Sequence, residues 1–150
     1  MIDLASRIKM AELARHLVAG LITNDEFEDR LPESDDPAIG EIFYLGFWPL
    51  YSDSSEHRLV GNSAVHGRDR HDTARYILFL ETNAAYRWPP YPTINFRHAI
   101  GDLFTLGLFS RSTRNQFEAL CATVGDVEVW PFFTKTDYEA ALKKPPYLHA

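Results

Sequence analysis

The sequence predicts a mainly α-helical protein: a single compact helical domain over residues 1–150, with an N-terminal αα-hairpin and one or two short extended segments. Three observations lead there. Apolar residues recur at helical spacing through most of the chain. Capping residues followed by an acid or a proline mark helix starts at Thr23 and Asp36. A chain of 150 residues with 45% apolar content can bury one core, and is short for two.

The first element is the clearest. Over residues 3–19, Met10, Leu13, Ala14, Leu17 and Leu21 form an apolar stripe at i, i+3, i+4, i+7 and i+11, opposite Lys9, Glu12 and His16. Gly20 suits the left-handed position after the helix, with Ile22 as the residue that folds back on the last turn. Thr23 then caps a second helix, and Glu26 three residues later completes a capping box. Acids in its first turns suit the helix dipole. Phe27 and Leu31 supply its apolar contact, and Pro32 stops it.

Within this hairpin, Gly20-Leu21-Ile22-Thr23-Asn24-Asp25-Glu26-Phe27-Glu28 resembles the G-x-I-T-x-x-E-F-E signature of the short helical hairpins called SHOCT domains. The resemblance covers about residues 10–31. It implies an interaction or oligomerisation module without catalytic chemistry, which makes a homo-oligomer one possible state.

Asp36-Pro37 reads as a cap followed by proline at the first helical position. Ile39, Ile42, Phe43, Gly46 and Leu50 line one face of this third helix, while Phe47 and Trp48 add apolar surface on another. A helix apolar nearly all round is buried or lies at an interface. Pro49 ends or kinks it at Trp48. Ser52 to Gly67 is polar and turn-rich, an expected mobile loop with Gly61-Asn62 as its turn.

Asp69-x-x-Asp72 is the expected cap of a helix from about Arg70 to Thr82, although Tyr76 to Leu80 alone would also fit a short buried strand. Tyr86 to Pro92 carries three prolines and must be neither helix nor central strand. Ile100, Leu103, Phe104 and Leu108 suggest a helix capped by Gly107, and Thr113-x-x-Gln116 starts another through Phe117, Leu120 and Cys121. Val127-Glu128-Val129 alternates like a short strand. Thr136-x-x-Glu139 caps a last helix with Tyr138 and Leu142, closed by Pro145-Pro146.

All three tryptophans precede a proline, at Trp48-Pro49, Trp88-Pro89 and Trp130-Pro131, and an aromatic follows each indole three residues on (Tyr51, Tyr91, Phe133). The structural expectation is that the three sites turn the chain sharply and meet in one dry aromatic core. The functional alternative is an aromatic groove for a partner.

Charge placement says more than the net charge of −6. Between residues 25 and 36, seven carboxylates face Arg30 alone, a local charge of −6 that equals the imbalance of the whole chain. From Arg58 to Arg114 there are eight arginines, no lysine and four acids. The lone Cys121 excludes an internal disulfide framework and fits a reducing compartment. No basic leader opens the chain, and no apolar run approaches the ~20 residues of a membrane span. The expectation is a cytoplasmic protein without membrane contact.

No phosphate loop, dinucleotide fingerprint, zinc-hydrolase helix or nucleophile elbow is present, so no cofactor is expected and no catalytic residue is assigned. The heptapeptide His66-Gly67-Arg68-Asp69-Arg70-His71-Asp72 reads first as a solvated helix start. Arg68, Arg70 and His71 are its anion-binding candidates. A metal is the weaker alternative, because His66 and His71 are five apart rather than four. His98 and Asp102 suit a helix-surface hydrogen bond, and Asp53, Glu56 and His57 form a loop cluster of acid and base types. Arg87, Trp88, Tyr91, Phe96, Arg97 and His98 interleave rings and charge as single-strand binders do, but the net charge of −6 argues against nucleic acid.

The resulting expectation is a protein-binding protein of inhibitor, immunity or adaptor type. Its face would be Asp25, Glu26, Glu28, Asp29, Glu33, Asp35 and Asp36, and its partner would carry a basic surface. The alternatives are a small hydrolase or metal-dependent enzyme using the His and carboxylate residues of 53–72, and a self-associating module built on the hairpin.

Overall fold

Apolar spacing and capping chemistry place six α-helices in the computed structural model, which describes residues 1–90 and 108–143, the side chains of 108–114 excepted. They are α1 (Leu4–Val18), α2 (Asn24–Asp29), α3 (Pro37–Ile42), α4 (Gly67–Leu80), α5 (Leu108–Val124) and α6 (Lys135–Lys143). Among the described residues no strand forms; an isolated antiparallel bridge joins Thr23 to Arg58. No described helix is long and apolar enough to cross a membrane. α1 packs against α2, α3 and α4, and α4 packs against α6. The core runs without a break from Met10 and Leu17 through Phe27, Ile42 and Phe79 to Phe132.

The hairpin ends follow local chemistry. Asp3 caps α1 by accepting from the Ser6 N–H. At the other end the Gly20 N–H donates to the Leu17 carbonyl and the Leu21 N–H to that of His16, both at 2.9 Å, the paired bonds of a Schellman turn. Gly20 takes φ +68°. The residue after it is therefore Leu21, 59% exposed, and Ile22 is buried one position further on. The stripe thus ends at Leu17, because the left-handed turn swings Leu21 outward. A Cβ at Gly20 would meet Val60 Cγ1 and lie 3.2 Å from the Leu59 carbonyl oxygen. Gly20→Ala should accordingly lower stability by about 1–3 kcal/mol in chemical denaturation, and Val60→Ala in the same chain should restore part of it.

α3 begins as expected, with Asp36 accepting from the Ala38 N–H and Pro37 in the first turn. It then widens into a π-helical turn over Phe43–Phe47 and tightens into a 3-10 turn over Trp48–Leu50. Pro49 has no N–H with which to continue the helix. At Gly46 a Cβ would lie 2.8 Å from the Tyr76 ring, so only glycine lets this turn approach α4 so closely.

Buried polar side chains bind these pieces together. Arg7 is fully buried and donates through Nε and Nη2 to both Asp36 carboxylate oxygens, at 2.6 and 3.0 Å. Its Nη1 donates to the carbonyls of Thr82 and Ala84 past the end of α4, and its guanidinium lies 5.3 Å from the Phe79 ring centre. Asp36 also accepts from the N–H groups of Asp3 and Ala38. Burial works to raise the Asp36 carboxyl, but these hydrogen bonds and the guanidinium charge outweigh it and hold it below the usual range. A second arginine, Arg75, joins α4 to the chain after α5 by donating to the Trp130 carbonyl at 2.7 Å.

Elsewhere the sequence expectation needs correction. Val127–Val129 is a 3-10 turn rather than a strand, capped by the Asp126 side chain at the Glu128 N–H. α4 starts at Gly67, before Asp69, and Asp72 pairs with Arg68 and Arg75 instead of capping. α5 passes through Thr113 without a break. The side chain bonding the first turn of α6 is Thr134, which accepts from the Asp137 N–H, rather than Thr136. Tyr86 to Pro90 is neither helix nor strand, as its prolines require. The helix expected over Ile100–Gly107 and the Pro145-Pro146 stop lie outside the described residues.

The indoles do not share one dry centre. Trp88 is 4% exposed and donates to the Pro131 carbonyl, while Trp130 packs on Tyr76 and donates to the Tyr86 hydroxyl. The Trp130-Pro131 peptide is cis. Trp48 stands apart at 40% exposure.

Candidate interaction face

The acids of α2 are presented by a locally determined element. Thr23 accepts from the Glu26 N–H while Glu26 accepts from the Thr23 N–H, closing the capping box. The helix buries Phe27 and leaves Asp25, Glu28 and Asp29 exposed. Asn24, 1% exposed, ties the following loop to it: its side chain accepts from the His57 N–H at 2.7 Å and donates to the Ser55 carbonyl. The Asn24 N–H in turn donates to the His57 carbonyl. The start of the 52–67 loop is thereby hydrogen-bonded to α2.

These bonds bring new acids to the face. Glu56 accepts from the Thr23 hydroxyl at 2.8 Å, and Asp53 accepts from the Trp48 indole N–H at 2.6 Å. Tyr51 donates its hydroxyl to Glu28 at 2.9 Å. Burial, the Glu28 hydrogen bond and the charges of Glu28, Asp53 and Asp25 push the Tyr51 phenol far above its ordinary value. Burial and Glu28 push up that of Tyr44 as well. Tyr51 thus remains a neutral donor across the physiological range. Around Trp48 the rings are ordered: Phe43 lies parallel within 8° at 6.4 Å, and Tyr44 meets it edge-on at 5.5 Å. The result is a half-buried ring cluster with the Trp48 indole exposed, Asp53 on that indole and Glu28 on Tyr51.

The other residues singled out from the sequence fall in different places. Glu26 serves the capping box and pairs with Arg30 at 3.4 Å. Glu33 and Asp35 are exposed on the link to α3, where Ser34 donates to Asp3. Asp36, read as part of the acidic face, is buried on Arg7 and presents nothing to solvent. Arg68 and His71 are exposed and face Asp72 at 3.6 and 3.7 Å, and Arg70 is exposed beside them. His57 Nδ1 lies 2.8 Å from the Ser55 carbonyl, on the α2 side of the loop, whereas His66 and His71 sit at the start of α4. Among the described residues no three His, Cys, Asp or Glu side chains converge as metal ligands. A pocket of about 480 Å³ between the end of α4 and α6, lined by Phe79, Arg87, Phe132 and Ala141 among others, contains none of these histidines. Arg87 is paired with Asp137 and lies over the Phe133 ring, and the Trp88 ring is buried, so neither presents a stacking surface for a base. Cys121 is a packed thiol, raised by burial and by Glu41 and Glu118. His98, Asp102, Tyr91, Phe96 and Arg97, with the side chains of Ser110, Ser112 and Thr113, lie outside what is described.

Against protein-family models, curated proteins and solved structures, the chain has no match. The reading therefore rests on the geometry. Sequence reasoning missed Tyr44, Trp48 and Tyr51 as surface partners of the acids. Trp48 keeps helical geometry at φ −56°, ψ −38° despite Pro49, so the Trp48-Pro49 pair by itself did not signal its exposure.

Proposed function

We propose that this chain is a protein-binding protein of inhibitor, immunity or adaptor type, engaging a basic partner through α2 and the adjoining loop. The observation that carries the reading is one of charge. Among the described residues Asp25, Glu28, Asp29, Glu33, Asp35 and Asp53 form no ion pair; Asp53 accepts from the exposed Trp48 indole, and the charges of Glu28, Asp53 and Asp25 all bear on Tyr51. Unpaired like charges on a capped helix repel one another and are relieved by a cationic surface, which also accelerates encounter. The SHOCT-like pattern of residues 20–28 supports an interaction role, and the single Cys121 fits a reducing, cytoplasmic setting.

The test begins with capture of the partner from the native host, followed by affinity measurement on the purified pair. A variant carrying Asp25→Asn, Glu28→Gln, Asp29→Asn and Asp35→Asn leaves Glu26 in place, because Glu26 holds the capping box. Its affinity should fall at least tenfold, about 1.4 kcal/mol. The wild-type affinity should fall similarly when ionic strength rises from about 0.05 to 0.5 M. An unchanged affinity in the neutralised variant would overturn the acidic-face reading.

A further inference from the structure

We propose that Trp48, with the Asp53 carboxylate on its indole N–H, forms a receptor for an arginine side chain presented by the basic partner. This rests on the acidic-face reading and deepens it, from general charge attraction to one recognised side chain.

The ring itself is the first reason. Trp48 is 40% exposed, whereas Trp88 is 4% exposed, so this indole is held at the surface. Phe43 parallel to it and Tyr44 on edge set its orientation. Its N–H donates to Asp53 at 2.6 Å. A carboxylate on the indole N–H pushes electron density into the ring and strengthens the negative face that attracts a cation.

The second reason is where the protein's own cations lie. Among the described residues, the guanidinium groups over rings are Arg7 on Phe79, Arg75 on Tyr76 and Arg87 on Phe133. None of these covers Trp48.

The third is the disposition of acceptors. Asp53 uses Oδ2 on the indole, and among the described residues its Oδ1 accepts no hydrogen bond. A guanidinium can lie flat on an indole while its in-plane N–H groups reach such an oxygen. An ammonium is a compact point charge and gains less from the same arrangement. Arginine is therefore the better occupant. Trp, Tyr and Arg are also the residues that dominate binding energy at interfaces.

The experiment uses the full chain labelled with ¹⁵N, titrated with an acetylated peptide of alternating glycine and arginine and with its lysine counterpart. The Trp48 indole N–H resonance, assigned by Trp48→Phe, reports the site directly. That resonance should move with the arginine peptide, which should bind at least threefold more tightly than the lysine peptide. Trp48→Leu, with its melting temperature checked against wild type, should weaken arginine-peptide binding at least fivefold. If the two peptides bind equally, or if Trp48→Leu binds as wild type, the arginine receptor is overturned. A loss of binding confined to Asp25→Asn/Glu28→Gln/Asp29→Asn would then leave the acidic face standing. If no peptide moves the Trp48 resonance, the arginine receptor falls; if neither set of variants alters binding, both readings fall.

Discussion

Asp36→Asn is expected to destabilise the protein by about 3–5 kcal/mol, measured by urea unfolding at neutral pH. The substitution leaves the Arg7 guanidinium, fully buried, without its counter-charge. With native stabilities of about 5–15 kcal/mol, this is a large share of the total. The apolar double variant Arg7→Met/Asp36→Leu should recover only part of the loss. Replacing both partners of a buried pair is often nearly neutral. Here, however, the pair also satisfies the N–H groups of Asp3 and Ala38 and the carbonyls of Thr82 and Ala84. The same site sets an acid limit. The folded-state carboxyl of Asp36 lies below its ordinary value of about 3.9, so below that value the unfolded chain binds the proton first. Its contribution is fully present above the unfolded value and is lost as pH falls through the lower folded one. Wild type should lose stability in that acidic window, and Asp36→Asn should show a shallower slope there.

Phe27→Ala is expected to cost about 3–5 kcal/mol, the range for a fully buried phenylalanine. Phe27 is 0% exposed and holds α2 to the π-helical turn through Phe47 at 5.9 Å and Phe43 at 6.1 Å. α2 has six residues and little intrinsic stability of its own. Removing its buried apolar side chain should therefore loosen the acidic face as well as the core. Amide hydrogen exchange across residues 23–30 should rise more than across α4, which keeps Leu78 and Phe79 buried. Equal exchange in the two helices would mean that Phe27 is no local anchor.

How much of this was legible depends on the range of each interaction. The left-handed Gly20, the Thr23 capping box and the Asp36-Pro37 start are all contacts within about six residues and stand where the sequence puts them, whereas the α1 stripe stops at Leu17 and Leu21 turns outward. Asp69 and Thr136 failed as caps because a better partner or an earlier start won the competition, as in the Asp72 pairs with Arg68 and Arg75. Val129 failed as a strand because no described neighbour offers an edge to pair with. Arg7 left a trace that was overlooked: it lies three residues before Met10, on the same line as Ala14 and Leu17, where an arginine must either pair or leave the core.

By itself, the sequence determined the helical class, the hairpin with its caps, and the concentration of acid between residues 25 and 36. Those follow from periodicity and from side chains bonding to their own backbone neighbours. Only the tertiary structure decided which acids face solvent, sending Asp36 inward to Arg7 and adding Asp53 and Glu56 from a distant loop through Asn24. It also separated Trp48 from the other two indoles. Identical Trp-Pro pairs met different neighbours, and whether a ring is buried is settled by what packs against it, which residues next to it in the chain do not specify.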